Sequence, residues 1–157
     1  MAAEQVLSVL GGITIASGFM GLKRKSYTMV MTDQRVILAE LTSDMLKSAI
    51  EQARAETKAD GGGFFKQWGA QIAASFSYAE QYASMAPEAA LAQNPGNFAW
   101  MRDDIEKMKL KAGMTRDEGA DDPDYITVKV AGSKYKLLLT GGTLAHAKEA
   151  LLRAGLI

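Results

Sequence analysis

The chain has 157 residues with 18 basic and 18 acidic side chains, so its formal net charge is zero. Its length and its hydrophobic fraction of 48% suit a single domain with one packed core. The zero net charge removes the bulk electrostatic argument for nucleic acid binding. The absence of cysteine excludes disulfide scaffolds, thiolate zinc sites and cysteine nucleophiles, and it fits a cytoplasmic protein.

The first apolar segment, Val6 to Leu22, carries no charge. A secretory signal begins with a basic region, whereas only Glu4 precedes this run, so we expect no signal peptide. As a spanning helix the run is short and interrupted by glycines, so we expect no transmembrane segment. We predict a short helix that contains Ala3, Val6, Leu7 and Leu10, then a break at Gly11-Gly12. A strand through Ile13 and Ile15 follows the break.

Two β-rich runs come next and are separated by Asp33-Gln34. The first run, Tyr27 to Thr32, alternates in the manner of a strand. The second run, Arg35 to Leu41, is predicted to return antiparallel to it. The two residues between them predict a tight hairpin turn.

After Leu41 the pattern becomes helical. Thr42 or Ser43 is a suitable N-cap for a first helix, which ends at three glycines, residues 61–63. A second and longer helix follows, and a short third one begins at Pro87 and ends at the turn NPGN. The second helix is rich in aromatic residues and poor in charge, so it is predicted to be buried or half-buried, with an apolar stripe that suits a protein interface. The candidate interface residues are Phe64, Phe65, Trp68, Ile72, Phe76 and Tyr82.

Strand character resumes at IEKMKLKAG, and YITVKVAGSKYKLLLT reads as a hairpin that turns at Ala131-Gly132-Ser133. An amphipathic helix closes the chain at Leu156. Strands grouped before and after the helices, rather than alternating with them, predict an antiparallel α+β fold.

No motif predicts catalysis, a cofactor or a metal. His146 is the only histidine and has no convergent ligand set, and the acidic loop RDEGADDPD lacks the spacing of a calcium loop. The glycine runs lack the lysine and hydroxyl spacing of a phosphate-binding loop. We therefore expect a protein that is not an enzyme.

Three stretches resemble bacterial pleckstrin-homology-like domains. YTMVMTDQRVILAEL resembles the apolar strand, T-[DN]-x-R turn and apolar strand of that family. FAWMRDDIEKMKLKAG is similar to its next strand pair. YITVKVAGSKYKLLLT followed by AHAKEALLRAGL is similar to its final hairpin and closing helix. The resemblance covers Met1 to Leu41 and Asn97 to Ile157.

The resemblance implies one domain over residues 1–157, an antiparallel β-sandwich or barrel of two near-orthogonal sheets with a C-terminal helix at one open end. Residues 42–96 would then be an insertion, a helical hairpin between strands three and four. The family is generally an interaction module, so the resemblance implies no catalytic residues. The loop between its first two strands often supplies cations for lipid headgroups, which makes Lys23, Arg24 and Lys25 candidate anion-binding residues.

Successive side chains of a strand point to opposite faces of the sheet, and this alternation predicts a second basic surface. If the apolar residues of the last three strands face inward, five lysines face outward together: Lys109, Lys111, Lys129, Lys134 and Lys136. Such a face suits acidic lipid, nucleic acid or the glutamates of the insertion. Exposed strands also carry lysine simply to prevent edge pairing. Nucleic acid is not expected, because no exposed aromatic residue is interleaved with the lysines.

These observations predict a non-catalytic interaction module without a cofactor. The first hypothesis is that it binds a protein partner, or self-associates, through the apolar face of the insertion. The alternative is peripheral binding to anionic membrane lipid through the basic loop and the lysine-rich sheet face, with Lys109, Lys129 and Lys136 as contacts.

Overall fold

The computed structural model describes residues 3–17, 23–42, 44, 45, 47, 51, 81–115, 117, 122–140 and 144–157. Within these ranges the chain forms seven strands, two short 3-10 helices and two α-helices whose bounds are described, and residues 44, 45, 47 and 51 are also helical. The strands are β1 (Val6–Ser17), β2 (Lys23–Thr32), β3 (Arg35–Leu41), β4 (Phe98–Met101), β5 (Ile105–Lys111), β6 (Tyr125–Val130) and β7 (Ser133–Leu139). The α-helices are α1 (Pro87–Ala92) and α2 (Leu144–Arg153), and the 3-10 helices are Gln81–Ala83 and Arg102–Asp104.

The strands form one antiparallel sheet in the order β4-β3-β2-β1-β7-β6-β5. This arrangement confirms the predicted antiparallel α+β class. The strands β4 and β5 follow one another in the chain but lie at opposite ends of this order. Because β1 pairs with both β2 and β7, it joins the first four strands to the last three.

The N-terminal segment is a strand, so the predicted short helix was wrong. β1 runs without a helical turn through the glycine pair, where its register with β2 shifts between Leu10 and Ile13. Gly12 has a φ of 72° at this shift, a conformation that glycine adopts without a steric penalty. Leu7 and Leu10 pack into one cluster and Val6 and Val9 into another. A strand that is covered on both faces loses its two-residue alternation, which explains the misleading helical spacing.

The turn between β2 and β3 is the predicted hairpin, and Thr32 organises it. Its hydroxyl accepts hydrogen bonds from the backbone N–H groups of Gln34 and Arg35, at 3.1 and 2.9 Å. The same hydroxyl donates to Glu4 at 2.6 Å. Asp33 accepts a hydrogen bond from the N–H of Gln5 at 2.9 Å. The T-D-x-R stretch therefore binds the turn to the chain segment that enters β1.

Arg35 connects this turn to two distant segments. Its guanidinium donates to both carboxylate oxygens of Glu4, at 2.9 and 3.0 Å, and to Glu88 of α1 at 2.7 Å. The side chains of Arg35 and Glu4 are only 12% and 13% exposed, whereas that of Glu88 is 82% exposed. The bidentate pair with Glu4 therefore carries most of the stabilisation.

The main core lies on one face of the sheet and is closed by α2. All seven strands contribute to it, through side chains such as Ile13, Met29, Trp100, Ile126 and Leu137. On α2 the small residues Ala147 and Ala150 with Leu151 face these strands. Small side chains let the helix approach the sheet closely, and its buried residues recur at helical spacing, as predicted for an amphipathic helix. The helix ends at Arg153 and not at the predicted Leu156.

Arg102, between β4 and β5, holds the end of α2 in place. Its guanidinium donates to the carbonyl oxygens of Ala154 at 2.7 Å, Gly155 at 3.2 Å and Thr32 at 3.2 Å. A cation at the C-terminus of a helix satisfies carbonyls that lack an intrahelical partner and complements the helix dipole. The hydroxyl of Ser8 in β1 also donates to the carbonyl of Ala150 in this helix, at 2.7 Å.

A second, smaller cluster covers the opposite face of β2 and β3. Val30, Ile37 and Ala39 are fully buried there against Tyr82 and Ala90. The last two residues belong to the segment between β3 and β4, and the described part of this segment at residues 81–92 therefore packs onto the outside of the sheet. The phenol hydroxyl of Tyr82 donates to the side-chain carbonyl of Gln93.

The described ends of the segment between β3 and β4 agree with the predicted local structure. Thr42 accepts a hydrogen bond from the N–H of Met45 at 3.2 Å, the geometry of an N-cap, and residues 44, 45, 47 and 51 are helical. The predicted short helix is α1, with Pro87 in its first turn. The predicted break at residues 61–63 and the long helix after it lie outside the described residues.

Candidate anion-binding face

The last three strands present a row of lysines on the side of the sheet that faces away from the main core. The residues Met108, Ile126, Val128 and Leu137 are buried, which confirms the predicted inward side of these strands. The outward lysines are all exposed. We call this surface the lysine face; it consists of Lys107, Lys109, Lys111, Lys129, Lys134 and Lys136.

Strand register brings these lysines into lateral rows. Lys107 lies opposite Lys129, and Lys129 lies opposite Lys134, so one row contains three lysines on three strands. In the next row Lys109 and Lys136 flank Thr127. Directly opposed side chains on a sheet have Cβ atoms about 5 Å apart, and like charges at that separation repel. The lysine face is therefore a dense positive surface on a chain whose net charge is zero.

Lys107 was not among the five outward lysines predicted from the alternation of side chains. The structure places it close to several other lysines of the face. A register shift between Ile105 and Lys107 leaves Glu106 as the extra residue of β5. Lys107 itself lies on the regular side of this shift, so it continues the register of Met108 to Lys111 with β6 and lies opposite Lys129. The predicted Lys109, Lys129 and Lys136 lie on the lysine face as expected from parity.

Electrostatics within the face lower the pKa of Lys107 below its ordinary value. The main causes are a side-chain hydrogen bond with Lys109 and the charge of that residue, and slight desolvation and the charges of Lys111 and Lys129 add to them. An amine next to several cations loses its proton more readily, because the charged form is disfavoured.

Two side chains moderate the positive charge. The carboxylate of Glu106 lies 3.9 Å from the ammonium of Lys129, and both side chains are about half exposed. The ammonium of Lys136 lies 4.3 Å from the centre of the Tyr125 ring, in a cation–π contact. The face contains an open groove of about 480 Å³, which is lined by all six lysines together with Thr127, Val128 and Tyr135.

Tyr135 is less buried than predicted. Its side chain points to the same inner face of the sheet as that of Val128, its partner on β6. It is nevertheless 37% exposed, because it lies near the start of β7. Its ring contacts that of Trp100, with centroids 4.9 Å apart. The aromatic rings near the lysine face are therefore already engaged in contacts within the chain.

The structure keeps the other predicted basic group apart from the lysine face. Lys23, Arg24 and Lys25 are exposed at the start of β2, where they pair with residues 15–17 of β1. Lys25 lies 4.0 Å from Glu40. These three residues are not among those that line the groove.

Of the candidate protein-interface residues, only Tyr82 lies within the described residues. It is 1% exposed and packs into the second cluster, so its ring serves the packing of this chain. Phe64, Phe65, Trp68, Ile72 and Phe76 lie outside the described residues.

The described residues contain no candidate for a metal site or for a membrane-spanning helix. No three acidic or histidine side chains there converge on a point that could hold a metal ion. No helix in the described ranges has the length and apolar character that are needed to cross a bilayer. Neither a family model, nor a curated protein, nor a solved structure matches this chain.

Proposed function

We propose that this chain is a non-catalytic interaction module that binds anionic phospholipid surfaces through the lysine face. The observation that carries the proposal is the register of β5, β6 and β7, which aims six lysines to one side of the sheet. Within the described residues, Glu106 is the acidic side chain that forms an ion pair with this face. A third of the 18 basic residues of the chain are thus collected on three strands.

The pleckstrin-homology-like fold is part of the same proposal. It is supported by the strand order, in which β1 joins four strands to three, and by the closing helix α2 against the main core. On this view residues 42–96 are the helical insertion. Its described part covers the outer face of β2 and β3 and leaves the outer face of β5 to β7 as the available binding surface.

The geometry favours a broad anionic surface over a single small anion. Strands lie about 4.8 Å apart and alternate residues along a strand about 6.8 Å apart, so the ammonium groups spread over a patch rather than converge. A basic residue near an anionic membrane contributes about 1 kcal/mol to binding. Several lysines that reach one plane together therefore give appreciable affinity.

Nucleic acid is the less favoured anion. Binding to single strands relies on aromatic rings that are free to stack with bases. The ring of Tyr125 lies beneath Lys136 on this face, and the ring of Tyr135, which points to the inward side of β7, packs on Trp100.

Vesicle sedimentation tests the proposal with two matched triple variants. The first replaces Lys109, Lys129 and Lys136 by Gln, and the second replaces Lys23, Arg24 and Lys25 by Gln, so both lose three positive charges. We expect the first variant to bind anionic vesicles about 100-fold more weakly than the wild type, from about 1 kcal/mol per lysine. We expect the second variant to bind nearly as well as the wild type.

Three outcomes would overturn the proposal. They are wild-type binding that does not rise with anionic lipid content, a larger loss in the second variant than in the first, and tighter binding to a single-stranded oligonucleotide than to vesicles. Light scattering on the same proteins without vesicles tests the hypothesis of self-association. That hypothesis requires a molecular mass that increases with protein concentration.

A further inference from the structure

We infer that Lys107 is a site of covalent acylation by small acyl phosphates, and that this modification weakens the binding of anionic surfaces by the lysine face. The second half of the inference rests on the proposed function. The first half does not, because it concerns the reactivity of one amine.

The placement of Lys107 supplies the two conditions that the reaction needs. Its side chain is exposed, so a small reagent can reach it. It also lies in the groove lined by the lysines, opposite Lys129 and on the same strand face as Lys109 and Lys111. A doubly negative acyl phosphate is attracted to such a cluster, which raises its local concentration next to the amine.

The same neighbours favour the reactive form of the amine. Only an uncharged amine is a nucleophile, and the pKa of Lys107 is lowered mainly by the contact with Lys109 and its charge. By contrast, the ammonium of Lys129 has the carboxylate of Glu106 at 3.9 Å. Of the two opposed lysines, Lys107 is therefore the preferred acceptor.

The reaction is balanced without a further reagent. The Nζ atom of Lys107 attacks the acyl carbon of the acyl phosphate, a carbon–nitrogen bond forms, and the bond between the acyl carbon and the phosphate oxygen breaks. The amine gives up one proton, and the leaving phosphate gains one. The product is a neutral amide, so the lysine face loses one positive charge and one hydrogen-bonding ammonium.

Incubation with acetyl phosphate followed by peptide mass spectrometry tests the acylation. We expect Lys107 to be acetylated several-fold faster than Lys148, an exposed lysine of α2 that does not line the groove. The variant Lys109→Gln removes the nearest cation and should lower the rate at Lys107 toward that of Lys148. Equal rates at the two lysines, or an unchanged rate in the variant, would overturn the inference.

A pH series adds a second readout. The rate at Lys107 should begin to rise at a lower pH than the rate at Lys148, because its lowered pKa gives it more uncharged amine. The charged groups around it on the lysine face are Glu106, Lys109, Lys111, Lys129, Lys134 and Lys136. Coincident pH profiles for the two lysines would contradict the proposed effect of this cluster.

The consequence for binding is measured on the treated protein. Acetyl phosphate should weaken the sedimentation of the wild type with anionic vesicles by several-fold, and it should weaken that of Lys107→Arg much less. An equal loss in both proteins would show that acylation elsewhere is responsible and would overturn the second half. If the untreated wild type binds no vesicles, the proposed function fails, whereas the acylation rates are still decided by mass spectrometry.

Discussion

The two outer faces of the sheet differ although they share one inner core. On β2 and β3 the outward residues Val30, Ile37 and Ala39 are apolar, and they are fully buried in a cluster with Tyr82 and Ala90. On β5 to β7 the outward positions are mostly lysines and remain exposed to solvent. The inner face needs apolar residues in both halves, so the composition of the outer face is what distinguishes a covered surface from a surface that is available for binding.

The largest expected effect tests this difference through stability. Ile37→Ala removes a fully buried side chain from the covered face and should lower the free energy of unfolding by about 2 to 5 kcal/mol, since it leaves a cavity. Its counterpart on the lysine face, Lys109→Ala, should change that free energy by no more than about 0.5 kcal/mol. Urea denaturation measures both. Similar losses in the two variants would show that the lysine face is also packed.

Ion pairs give a sharper form of the same comparison. Arg35→Ala breaks the bidentate pair with Glu4 and should cost about 1 to 3 kcal/mol, because a charged hydrogen-bonded group of low exposure loses its partner. Lys129→Ala breaks the exposed pair with Glu106 and should cost between about 0 and 1 kcal/mol. Arg35→Lys is the control, since it keeps the charge but not the fork-shaped geometry. Equal costs at positions 35 and 129 would contradict the interpretation.

The smallest expected effect concerns salt. Repulsion within the lysine face should make the wild type more stable as salt is added, because the screening length falls from about 10 Å at 0.1 M to about 3 Å at 1 M ionic strength. Lys107→Gln removes the lysine that is surrounded by other cations, so its urea midpoint should rise less with salt. Lys148→Gln, which removes a lysine outside the groove, is the matched control. A salt response that is the same in all three proteins would argue against repulsion in the face.

The sequence correctly predicted the elements in which apolar and polar residues alternate regularly. β3 and the hairpin turn before it follow the predicted boundaries, and the lysine face follows from the alternation of β5 to β7. β2 ends as predicted at Thr32 but begins at Lys23, before the predicted start at Tyr27, so Lys23, Arg24 and Lys25 belong to the strand and not to the loop. These strands have a clear inside and outside over the residues that were used. Tyr82 was predicted as an interface residue because sequence alone does not show whether an aromatic ring packs on its own sheet.

The prediction failed where the tertiary structure, and not the alternation of apolar and polar residues, determines the role of a segment. β1 is apolar on both sides, because the main core covers one side and the second cluster the other, and its spacing then resembles a helix. The importance of Lys107 depends on its position opposite Lys129, which is a relation between two strands. Local patterns contain neither kind of information.

The narrow junction between β1 and β7 has a mechanical consequence. The two strands share only two register pairs among the described residues, Ile13 with Leu139 and Thr14 with Leu138. The junction is extended by the N–H of Thr140, which donates to Gly12 at 2.8 Å, and by a 2.7 Å hydrogen bond between the hydroxyls of Thr14 and Thr140. Few backbone bonds therefore resist a change of angle between the covered half and the lysine half. This seam is where we expect the sheet to flex when the lysine face meets a curved or a flat surface, with early amide exchange as its signature.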